Sequence, residues 1–139
     1  MTVEGKLSRA DYGELSRFRF QIRRFLHFSE EAARAEGLEP QQHQMLLAMA
    51  GLEEEPTVGR LAEQLLIRHH SAVELLDRLE QRGLVERARD AADRRQVRAA
   101  ITEAGWEKLR RLAGQHRAEL RRTGPALVEA LRAVIEDAE

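Results

Sequence analysis

Leu61 to Gly105 reads LAEQLLIRHHSAVELLDRLEQRGLVERARDAADRRQVRAAITEAG, and the spacing of its apolar residues changes twice. Leu61, Ala62 and Leu65 share one face of a short helix, and Thr57 is placed to cap it. After Leu66 and Ile67 the pattern restarts. Ala72, Leu75, Leu76 and Leu79 form a second helical stripe, which stops at Gly83. From Leu84 the period becomes two: a strand near Leu84–Arg89, a turn through Asp90-Ala91-Ala92-Asp93, and a return strand near Gln96–Ile101. That period points Val97, Ala99 and Ile101 at the core and leaves Gln96 and Arg98 toward solvent. Thr102 then caps another helix.

Working outward, Tyr12, Leu15, Phe18, Ile22, Phe25, Leu26 and Ala33 recur at helical steps, so residues 8–36 form an amphipathic helix that Gly37 ends. Phe20 and Phe28 flank that stripe, so the helix buries more than one side, against this chain or against a second subunit. Pro40 opens a helix to Leu52 with Met45, Leu46, Met49 and Leu52 inward, and Glu53, Glu54, Glu55 and Pro56 end it. On the far side, a helix from Thr102 to about Thr123 carries Trp106, Leu109, Leu112, Ala113 and Leu120. Gly124-Pro125 is expected to break it, and a last helix follows from Pro125 to about Asp137. The architecture is mostly α (α+β): a helix-turn-helix with a two-stranded β-wing, flanked by N- and C-terminal helices.

Composition agrees with that class. The 139 residues suit one domain, and 42% hydrophobic with 34% charged residues allow a packed core. Three prolines and 4% aromatics favour helices over a β-sandwich. The absence of cysteine excludes disulfides, thiolate zinc sites and thiol redox sensing. The five histidines, His27, His43, His69, His70 and His116, have no metal-ligand spacing, and no catalytic constellation stands out. No metal, cofactor or enzymatic activity is expected. Neither a signal peptide nor a membrane-spanning run is evident, so the expected location is cytoplasmic.

The net charge of −1 hides an uneven distribution. Residues 1–55 carry 7 Lys+Arg against 10 Asp+Glu, residues 56–100 carry 9 against 7, and residues 101–139 carry 7 against 7. Only the middle third is basic, and Arg87, Arg89, Arg94, Arg95 and Arg98 cluster there. Local clustering, more than the total, sets the field a polyanion meets. With Ala72, Leu75, Leu76 and Leu79 buried, the opposite face of that helix presents His70, Val73, Glu74, Asp77 and Arg78, with His69 and Ser71 at its N-terminal end and Arg68, a further candidate for DNA contact, just before it. His69 and His70 are suited to base acceptors or phosphates, Ser71 to either, Glu74 to cytosine N4, and Val73 to a thymine methyl. Arg94, with Arg89 or Arg95, is placed at the wing tip to reach the backbone or a minor groove. For Arg87, Arg95 and Arg98 a solvated charged face is the alternative, as a solvated helix start is for His69 and His70. Asp93 suits an Asx-type bond or the orientation of a neighbouring arginine.

Four dispersed motifs occur in order: Leu75-x-Asp77-Arg78-Leu79-Glu80, Gly83-Leu84-Val85-x-Arg87, Asp93-Arg94-Arg95 and Ile101-Thr102-x-x-Gly105. Together they resemble the multiple-antibiotic-resistance regulator (MarR) family of winged helix-turn-helix transcription factors. The resemblance implies one domain over 1–139, with a DNA-binding lobe at 40–101 and a dimerisation lobe from 8–36 and 102–139. It implies a homodimer on double-stranded DNA with a pseudo-palindromic operator, acting as a repressor that a small aromatic or anionic effector relieves. Asp77 is expected to pair with a wing arginine. An effector pocket is expected near Phe18, Ile22, Arg23, Met45, Met49 and Trp106. His69, His70 and Glu74 depart from the Arg or Ser common in the family, which leaves the target sequence open. The alternatives are a winged helix used for protein interaction and a DNA regulator without a ligand.

Overall fold

A computed structural model of the chain describes residues 5–136. Among them the order is α1 (Arg9–Ala35), α2 (Pro40–Gly51), α3 (Val58–Leu65), α4 (His69–Gln81), β1 (Val85–Arg89), β2 (Val97–Ile101) and α5 (Glu103–Glu136). The mostly helical expectation holds, with a two-stranded antiparallel sheet in which Val85 faces Ile101 and Arg89 faces Val97.

Local chemistry sets the boundaries. Ser8 and Asp11 exchange side-chain and backbone hydrogen bonds at the start of α1, at 2.8 and 3.1 Å. Pro40 stands in the first turn of α2, where its missing N–H leaves nothing unsatisfied. The Thr57 hydroxyl accepts from the Arg60 amide at 3.2 Å and caps α3. Gly37 and Gly83 take positive φ, 81° and 75°, which lets the amides of Leu38 and Leu84 turn back to Ala33 and Leu79 carbonyls at 2.9 Å. Because Leu84 gives its amide to that helix stop, β1 begins one residue later than the alternation suggested.

The chain forms two compact units, one of residues up to 31 with those from 115 on, the other of Ala32–Gly114. In the second, Leu46, Leu61, Leu76, Leu79 and Leu112 are fully buried in one apolar cluster that also takes in Ala33 and Leu38. Each leucine so buried contributes roughly 2 kcal/mol relative to exposure. In the first unit, His116 packs edge-on against Phe25 and Phe28, with ring centroids 5.8 and 5.4 Å away, and its Nε2 lies 2.7 Å from Ser29 Oγ. Phe20 is not buried in the single chain, and Tyr12, Leu15 and Leu26 are exposed with it.

The break at Gly124-Pro125 does not form. Helix α5 runs unbroken with Pro125 inside it. Proline removes the N–H that would reach the Arg121 carbonyl, and its ring crowds that carbonyl. Gly124 removes the companion obstacle, because the clash that keeps pre-proline residues out of a helix comes partly from their Cβ. Thr123 Oγ1 donates to the Glu119 carbonyl at 2.9 Å, and strong helix formers flank the pair on both sides. The expected end at Asp137 lies outside the described residues.

Leu66 closes α3 in the left-handed conformation, φ 58° and ψ 41°, with 91% of its surface exposed. A left-handed L-residue costs roughly 1–2 kcal/mol, partly offset on replacement by the greater backbone entropy that glycine loses on folding. Leu66→Gly is therefore expected to raise stability by about 0.5–1 kcal/mol, seen as a higher urea midpoint. A lower midpoint would show that the Leu66 side chain has contacts worth more than its strain.

Candidate nucleic-acid interface

Helix α4 is held from one side only. Ala72, Leu76 and Leu79 are completely buried and Leu75 nearly so, as the stripe requires. The turn that delivers it is fixed by the Ile67 amide, which returns to the Ala62 carbonyl at 3.0 Å. The face away from the core starts with Arg68, His69 and His70, all exposed, and continues through Glu74 and Arg78, also exposed. None of these five has a side-chain hydrogen bond or ion pair among the described residues. Ser71 and Val73 are half-buried, and Val73 packs against the core cluster, so only part of its side chain is left outside.

The wing is internally braced. Asp90 accepts from the Asp93 amide at 2.8 Å and from Arg98 Nε, and Arg98 Nη1 donates to the Glu55 carbonyl at 2.9 Å. Arg98 is thus tied down and does not stand free in solvent, because the segment before α3 runs beside β2, with Thr57 bridging Arg98 and the Ala99 amide bonded to Pro56. The Arg98 hydrogen bond, with help from the Asp93 amide, holds the Asp90 carboxyl below the usual carboxylate range. Asp93 does both things expected of it: Oδ1 accepts from the Arg95 amide, and the carboxylate pairs with the Arg95 guanidinium at 3.1 and 3.2 Å. The Arg95 side chain is nevertheless 90% exposed. Arg89 Nη1 donates to the Arg94 carbonyl at 3.0 Å, so it supports the loop that carries Arg94. Arg94 is exposed, with no side-chain partner among the described residues.

One arginine joins helix to wing. Arg87 of β1 reaches Asp77 of α4 at 2.5 Å and Glu80 at 2.7 and 3.0 Å, the pairing expected for Asp77. Burial works against its charge, but hydrogen bonds to Glu80 and Asp77 outweigh burial and raise its pKa. Arg87 is therefore a brace, not a free contact. Beside it a cleft of about 320 Å³ brings together His69 and Val73 of α4, Thr57, Val58 and Gly59 at the start of α3, and Arg95, Gln96 and Val97 of the wing.

The effector-pocket candidates are spread out. Met45 is fully buried in the core, whereas Met49 and Trp106 line a cleft of about 300 Å³ with Leu52, Glu53, Pro56 and Ala99. Phe18 and Ile22 are half-buried and Arg23 is exposed, all on the α1 stretch of the other unit.

A junction invisible in the sequence secures the far end of α4. Arg82, the residue that follows it, donates to the Gly37 carbonyl at 2.6 Å, and Lys108 of α5 donates to the Glu36 carbonyl at 2.7 Å. Arg111 pairs with the Glu36 carboxylate at 3.0 Å. Cations from two elements thus satisfy carbonyls left open at the end of α1.

Two helices joined by a short turn, the second with an unpartnered polar face, and a hairpin packed on the same core define a winged helix-turn-helix. Residues 36–96 match the sequence profile of the MarR family. Solved structures similar to the chain carry the same fold. AbsC, a MarR family transcriptional regulator from Streptomyces coelicolor, is 23% identical with a TM-score of 0.77, over 96% of this chain and 97% of that one. CouR from Rhodococcus jostii RHA1, bound to p-coumaroyl-CoA, is 24% identical with a TM-score of 0.64, over 79% and 82%. A mutant of S. aureus MepR bound to an oligodeoxyribonucleotide is 19% identical with a TM-score of 0.65, over 95% and 96%. No curated protein matches the sequence.

Proposed function

We propose that the chain is a homodimeric, sequence-specific DNA-binding transcriptional regulator, a repressor relieved by a small aromatic or anionic effector. The observation that carries this reading is α4: one face locked in the core, the other presenting Arg68, His69, His70, Glu74 and Arg78 with no competing partner. Side chains committed to no internal bond are available to base edges and phosphates without first breaking one. Arg94, unpaired on a wing braced by Asp90, Asp93 and Arg98, supplies the flanking grip; Arg89 and Arg95 add charge beside it.

Two-fold pairing follows from what one helix can read, since a single α4 spans a few base pairs and two read a pseudo-palindrome. Exposed apolar residues support it: Tyr12, Leu15, Phe20 and Leu26 on α1, and Val128, Leu131 and Ile135 on α5. The CouR complex with p-coumaroyl-CoA supports the effector class, and the MepR complex supports DNA as the partner. No described helix is long and apolar enough to cross a membrane, and this reading places the protein in the cytoplasm, with no enzymatic step.

The test is salt. Binding to a duplex enriched from a random pool is expected to fall by about a thousandfold or more between roughly 50 and 200 mM salt, with a log–log slope near −0.9 per phosphate contacted. Arg94→Ala is expected to weaken all duplexes alike and to reduce that slope by about one per site. Glu74→Ala instead relaxes preference at particular bases. Salt-insensitive binding, or equal losses on all sequences from both variants, overturns the assignment.

A further inference from the structure

We propose that His69 and His70 make DNA reading proton-dependent, so that the chain binds its site as a proton-loaded reader and loosens as pH rises. The inference rests on the DNA-binding reading above and adds a regulation to it. Both imidazoles are exposed on consecutive positions of α4. Neither has a hydrogen-bond or ion-pair partner among the described residues. A neutral imidazole offers one donor and one acceptor; a protonated one offers two donors and a charge. Phosphate oxygens, and guanine O6 and N7, are acceptors only, so the protonated form fits them and the neutral form fits half as well. Imidazole is also the side chain whose ordinary titration falls between about pH 5 and 8.

The charged groups around these rings largely compensate one another. On α4 itself Arg68 precedes them and Glu74 lies one turn beyond His70. From β1, Arg87 lines the same cleft as His69, its charge engaged by Asp77 and Glu80. From the wing, Arg95 lines it too, paired with Asp93; Gln96 and Val97 beside it do not titrate. Thr57, Val58 and Gly59, on the α3 side, contribute no titratable group. Phosphates brought against the same face favour the charged form of both rings. Linkage then fixes the direction: the bound state holds more protons, so affinity is highest at low pH and falls as pH rises, by up to about tenfold per pH unit for each proton taken up.

The experiment measures the affinity of the intact protein for a duplex enriched from a random pool, at constant salt, from about pH 6 to about pH 8. The wild-type protein is expected to bind at least about tenfold more weakly at the upper end. His69→Gln/His70→Gln, which keeps hydrogen-bonding capacity and cannot charge, is expected to bind near the weak level throughout, changing less than about twofold. Calorimetry of the wild-type protein in two buffers of different ionisation enthalpy reads proton uptake directly, even if the double variant folds poorly. A flat wild-type profile, zero uptake, or an unchanged slope in the folded double variant overturns the proposal; the last outcome assigns the effect to His27, His43 or His116. Steep salt dependence with a flat pH profile sinks this inference alone. No salt-dependent duplex binding at any pH sinks the regulator reading beneath it.

Discussion

Gly105→Ala is expected to destabilise the folded chain by about 3 kcal/mol, at the upper end of the cost of forcing extra atoms into a packed core. A β-carbon there would stand 2.3 Å from the Leu84 carbonyl oxygen and 2.8 Å from Ile101 Cγ2. The first obstacle is backbone, and it cannot retreat cheaply. Leu84 O already accepts the Thr102 amide at 3.0 Å, and Thr102 Oγ1 donates to the neighbouring Gly83 carbonyl at 2.6 Å. The clash is therefore felt where the hairpin returns into α5 and where α4 ends. Equilibrium denaturation measures the loss. Gly114→Ala is the control, since nothing lies within 4 Å of its added carbon; inside a helix it is expected to gain about 0.5–1 kcal/mol. Equal midpoints for the two variants would show that the root of the wing yields.

Arg87→Ala is expected to cost about 2 kcal/mol of stability and to weaken binding to every duplex. Its three short hydrogen bonds hold Asp77 and Glu80 together, and removing the guanidinium leaves two carboxylates facing each other beside the proposed DNA-contacting face. The figure stays below that for a fully buried pair, because the two acids are 47% and 41% exposed and water screens them. Lysine is a point charge and cannot span both acids as the planar fork does, so Arg87→Lys recovers part of the loss at most. In an Asp77→Asn/Glu80→Gln background the same truncation is expected to cost about 1 kcal/mol less. Additive losses would show that the arginine packs against the hairpin without bracing α4.

Much of the fold is written in periodicity. The stripe Ala72, Leu75, Leu76 and Leu79 identifies both the buried face of α4 and, by exclusion, the face that carries His69, His70 and Glu74. The change to alternation at Leu84 locates the wing to within a residue. What periodicity does not encode is partnership across distance. The bond from Arg82 to the Gly37 carbonyl joins positions 45 apart, and nothing local marks either residue for it. The fate of Gly124-Pro125 was illegible for a different reason: the dipeptide is a strong local stop, and the helical preference of its flanks decides against it. Arg98 read as a solvent-facing strand residue because alternation says which way a side chain points, not that Asp90 and the Glu55 carbonyl stand there to receive it. Gly105 was legible as a position, yet the reason glycine is needed there, the approach of the Leu84 carbonyl, exists only in three dimensions.

The junction of Arg82, Lys108 and Arg111 with Glu36 and Gly37 decides where the winged-helix unit can be cut out of the chain. A fragment that begins at Pro40, where the helix-turn-helix pattern starts, discards the carbonyls those cations hold. It also removes Ala33 and Leu38, which are 0% and 1% exposed in the core beneath α4. The smallest excisable piece therefore starts inside α1, near Ala32, and stops inside α5, near Gly114. Grafting this winged-helix head onto another protein means splicing helix to helix at both ends, with loop-to-loop joints ruled out.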